Sequence, residues 1–108
     1  MKLKAPTEIQ IGGHKFKILY DGNYSIKTCD GGVCSRGAGI IQIDTREIAP
    51  SSLKLYRLVH EIMHAIVSVF TPSAWQKERI NEDAVELISE GITQTLVSLG
   101  VELEFPIE

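Results

Sequence analysis

Residues 58–67 read Leu-Val-His-Glu-Ile-Met-His-Ala-Ile-Val, and no other run constrains the chain as strongly. On an α-helix, residues four apart stand one above the other on a single face, so His60 and His64 aim their imidazoles at one ion. Glu61 is turned about 100° from His60, off the ligand line but within reach of a water on that ion. Two neutral nitrogen donors, an open water position and a carboxylate base beside it are what zinc-dependent hydrolysis requires. The surroundings support this reading. Leu55, Leu58, Val59, Ile62, Met63, Ile66, Val67 and Phe70 enclose the triplet, so the helix is expected to be largely buried. Two imidazoles and a carboxylate buried without partners would cost several kcal/mol, which a metal offsets. The plainer alternative is a pair of ordinary hydrogen-bonded helix histidines.

Two histidines do not complete a catalytic zinc site, and His14 beside a turn is expected to be solvated, so the third donor should be a carboxylate. A second helix, opened by Asn81 and an acidic first turn of Glu82 and Asp83, offers Glu82, Asp83, Glu86 and Glu90. Its apolar stripe is read as Val85, Ile88, Ile92, Leu96 and Leu99. At about 100° per residue, Glu82 lies about 80° from the centre of that stripe, Glu86 about 120° and Glu90 about 160°. Glu82 is favoured, with Glu86 as the alternative ligand or as a support for a ligand histidine.

Around these helices the chain reads as α+β, with a small, mostly antiparallel sheet packed on them and residues 1–108 forming one domain. Residues 1–7 are expected to be a loose tail. Glu8–Ile11 and His14–Tyr20 alternate polar and apolar on either side of Gly12-Gly13, which predicts a β-hairpin with Phe16 and Ile18 facing inward. A short strand is read at Tyr24–Thr28. The stretch from Gly31 to Gly39 has no Gly-Lys-Ser/Thr ending and no following helix, so it is read as a hairpin connection and not as a phosphate loop. Ile40–Asp44 is a strand, at the centre of the sheet or at its edge. The motif helix should run from Pro50-Ser51-Ser52 to about Phe70, stopped by Thr71-Pro72. The second helix should end at Gly100, and residues 101–106 either dock as an edge or hang loose. Trp75 is read as a cap on the core. Tyr56 and Arg57, near the motif, are candidates to stabilise an oxyanion.

Composition narrows the partners. A net charge of −3 with no basic cluster gives no nucleic-acid surface. The start has no apolar run behind its lysines, and no segment approaches the length of a membrane span, so a cytoplasmic protein is expected. Cys29 and Cys34 are then expected to be free thiols.

The order of a strand, His60-Glu61-Ile62-Met63-His64, and a helix opening Glu82-Asp83-Ala84-Val85-Glu86-Leu87-Ile88-Ser89 resembles the ImmA/IrrE family of zincin-like metallopeptidases, above all its very small members carried by phages and mobile elements. The resemblance covers about residues 38–98. It implies that His60, His64 and Glu82 bind Zn2+, that Glu61 is the general base, and that the substrate is a protein, in the manner of a phage or element repressor. Larger members carry asparagine or aspartate where this chain has Glu86, an aromatic where it has Leu87-Ile88, and a Leu-Leu-Met-Pro-like helix end that is absent here. The expected reaction is peptide-bond hydrolysis. The competing expectations are a zincin-fold binding module with a structural zinc and a metal-free accessory protein.

Overall fold

The computed structural model describes residues 1–20, 32–35, 39–43, 51–70 and 82–105. Strand β1 spans Lys2–Lys4, β2 Glu8–Ile11, β3 His14–Tyr20, β4 Gly32–Ser35 and β5 Ile40–Ile43. Helix α1 spans Ser51–Phe70, α2 spans Glu82–Ser98, and β6 spans Glu102–Glu104. Among the described residues the class is α+β, with two helices, a mixed four-stranded sheet and a two-stranded one.

The hairpin forms where the alternation places it. Ile11 pairs with His14 across the two glycines, and Gly12 takes a positive φ of 60° that favours a residue without a Cβ. Phe16, Ile18 and Tyr20 point inward from β3, while Lys15 and Lys17 stay exposed. Strand β5 contributes Ile41 and Ile43, both fully buried. These side chains meet Leu58 and Ala65 of α1, flanked by Ile62, Ile66 and Val69. Each large apolar side chain buried there contributes about 1.5–3 kcal/mol. The inward face of α1 is thus committed to the sheet.

The sheet is less antiparallel than its turn signals suggest. Its order is β2-β3-β5-β4; the outer pairs are antiparallel, but the central β3–β5 pair is parallel. A turn signal reports only sequential neighbours, whereas β5 lies beside a strand that precedes it by a long connection. Strand β5 is therefore central. The glycine-rich stretch is half strand: Gly32–Ser35 pairs with β5 in the register Gly32↔Ile43 to Ser35↔Ile40, forming the sheet edge. Gly39, at φ 65°, turns the chain where an added Cβ would stand 3.0 Å from the Lys15 carbonyl oxygen.

Residues 1–7 are not a loose tail. Strand β1 pairs in parallel with β6, setting Lys2 beside Glu102 and Lys4 beside Glu104. Ala5 N–H donates to the Glu104 carbonyl at 2.9 Å, and the Tyr20 hydroxyl donates to the Pro6 carbonyl at 2.6 Å. The two chain ends hold each other across a separation that no local pattern reports. The readings at residues 24–28, at Thr71-Pro72, at Trp75, at Asn81 and at Cys29 lie outside the described residues.

Helix α2 ends in a Schellman arrangement: Gly100 N–H donates to the Val97 carbonyl and Val101 N–H to the Leu96 carbonyl, both at 3.0 Å, with Gly100 at φ 80°. It packs on α1, which is sandwiched between α2 and the sheet. The buried positions of α2 are Val85, Ser89 and Thr93, one turn apart each. Ile88, Ile92 and Leu99, read as part of the inward stripe, are exposed. The buried face of α2 thus joins one apolar residue, Val85, to two small polar ones. Among the described residues, no helix is long and apolar enough to cross a membrane.

Candidate metal centre

Helix α1 carries His60, Glu61 and His64 within one turn, with six residues left before its end. The two imidazoles stand on the same face, ring centroids 4.8 Å apart and nearly perpendicular, with the Nε2 atoms 3.2 Å from each other. Glu82, the first residue of α2, reaches both. Its Oε1 is 2.8 Å from His60 Nε2 and its Oε2 is 3.0 Å from His64 Nε2. Among the described residues these are the three whose donor atoms converge closely enough to hold a metal ion. Glu86 is exposed and does not join them.

The position of Glu82 follows from the face that α2 buries. Glu82 and Ser89 are seven residues apart, two turns of about 720° against a rotation of about 700°, so they lie within about 20° of each other. Since Ser89 is fully buried against α1, Glu82 projects toward α1 at the open end of the helix pair. Glu86 is rotated about 60° from Ser89 and swings out. An acidic residue at the first position of a helix is also favoured by the helix dipole.

The donor set fits zinc. One ligand atom from each of the three residues lies within 4.8 Å of the others, and two imidazoles with a carboxylate are donors of the kind that bind zinc. Lone pairs at the 2.8 to 3.2 Å separations found here are relieved by a proton on an imidazole nitrogen or by a cation among the donors. His60 is mostly covered and His64 about one-third exposed, with Glu82 more than half exposed, so the cluster opens to solvent on the Glu82 side.

Two other side chains shape the centre. Glu61 is buried, 8% exposed, on the next face of the helix. Tyr56, one turn before His60, brings its hydroxyl to 3.4 Å from His60 Nδ1, with ring centroids 5.7 Å apart. That contact is on the ring nitrogen away from the cluster, so Tyr56 is placed to orient the His60 ring. Burial, followed by the carboxylates of Glu86, Glu90, Glu82 and Glu61, raises the Tyr56 pKa above its ordinary 10.0. The phenol therefore stays neutral at physiological pH. The i, i+4 spacing of Tyr56 and His60 was the available sequence signal for this pair. Arg57 is half-buried, and His14 is exposed at the hairpin, remote in role from the cluster.

Comparison with known proteins finds no family model, no curated protein and no solved structure that matches the chain. The likeness to ImmA/IrrE peptidases thus rests on the residues quoted for it.

Proposed function

We propose that the chain is a zinc-dependent metallopeptidase that hydrolyses a peptide bond in a protein substrate. The observation that carries this reading is the convergence of His60, His64 and Glu82 at 2.8 to 3.2 Å beside a buried Glu61. When bound, zinc supplies Lewis acidity, acidifying water and polarising a carbonyl. His60 and His64 hold their rings on one face because the helix fixes them there, and the Tyr56 hydroxyl, 3.4 Å from His60 Nδ1, helps to orient that ring. Glu82 brings one negative charge to the open end of the site. Glu61 acts as general base, taking a proton from the attacking water and returning it to the departing amine. Its burial keeps its competing water contacts few, which suits that role. Among the described residues three protein donors converge, the number that a catalytic zinc site pairs with water in its fourth position.

The test is Glu61→Gln. Zinc-loaded wild type is expected to cleave a quenched fluorescent casein or a degenerate peptide library, and Glu61→Gln is expected to bind the same zinc while cleaving at background. Cleavage by Glu61→Gln at the wild-type rate, or an inert wild type on both substrates, would remove the peptidase reading.

A further inference from the structure

We draw no further inference here: the strongest candidate, the cleft of about 220 Å³ between the start of α1, the end of α2 and β6, lined by Ser52, Leu55, Val97, Glu102 and Leu103, is mostly apolar, and nothing in the structure shows what covers it.

Discussion

At the scale of single residues, the division of labour around His60 is the most informative detail. One ring nitrogen faces His64 and Glu82, the other faces the Tyr56 hydroxyl. Partners behind a ligand histidine typically contribute 10–100-fold to metal affinity. The 3.4 Å contact is long, so Tyr56→Phe should weaken zinc binding by about tenfold, at the low end of that range, with far-UV dichroism unchanged. Competition with a chromophoric chelator measures it, and an affinity within twofold of wild type would deny Tyr56 this role. The shared face of His60 and His64 was legible in the sequence because residues four apart stand together on a helix. Glu82 was also identified, yet the stripe used to find it was misplaced. The apolar periodicity chose Ile88 and Ile92, which are exposed, while the buried face is centred on Ser89. Glu82 lies nearer the true face than the assumed one, so the error did not change the choice. Hydrophobic periodicity reads the most apolar arc of a helix, whereas the face buried here includes two small polar residues. Ser89 Oγ, fully buried, has no hydrogen-bond partner among the described residues.

At the scale of elements, the hairpin and both helices were legible, and their long-range pairing was not. Gly12-Gly13 between alternating strands is a local signal and folded as one. The parallel β3–β5 pair and the β1–β6 pair join segments distant in sequence, so nothing in either stretch announces its partner. The opposite charges of Lys2, Lys4, Glu102 and Glu104 were the one clue to the second pairing, and cross-strand charge pairs are weak. The hairpin turn also anchors α1. A Cβ at Gly12 would lie 3.1 Å from Val69 Cγ1 and 3.4 Å from Phe70 Cζ, in a backbone conformation at φ 60° that side chains disfavour. Gly12→Ala should therefore destabilise by about 1–2 kcal/mol, whereas Gly13→Ala, with nothing within 4 Å, should change stability by less than about 0.5 kcal/mol. Urea midpoints compare the two. Equal effects would mean the turn is not pressed against the helix end.

At the scale of the whole molecule, Tyr20 ties the N-terminal segment to the sheet and the C-terminal segment to both. Its hydroxyl donates to Pro6, and its ring meets Phe105 edge-on at 5.8 Å between centroids. Burial pushes its pKa from 10.0 up to about 12. A phenol whose pKa is raised by folding stabilises the fold fully below its unfolded value and loses that contribution as the pH climbs. Stability should therefore decline between pH 10 and about pH 12, and Tyr20→Phe should flatten that part of the decline. The same substitution should cost about 1–2 kcal/mol at neutral pH, because the Pro6 carbonyl loses its donor. Denaturant titrations at stepped pH test both parts; an identical alkaline slope in the two proteins would contradict the first.

The cluster of His60, His64 and Glu82 spans α1 and α2, so on the proposed reading metal binding and the seating of α2 on α1 should be one event. Zinc stoichiometry and affinity of wild type, His60→Ala, His64→Ala, Glu82→Ala and Glu86→Ala test this most directly. One zinc per chain is predicted for wild type and for Glu86→Ala, with affinity falling at least a hundredfold in each of the other three. A wild type that binds no zinc, or a Glu82→Ala protein that binds it as tightly as wild type, would contradict the account.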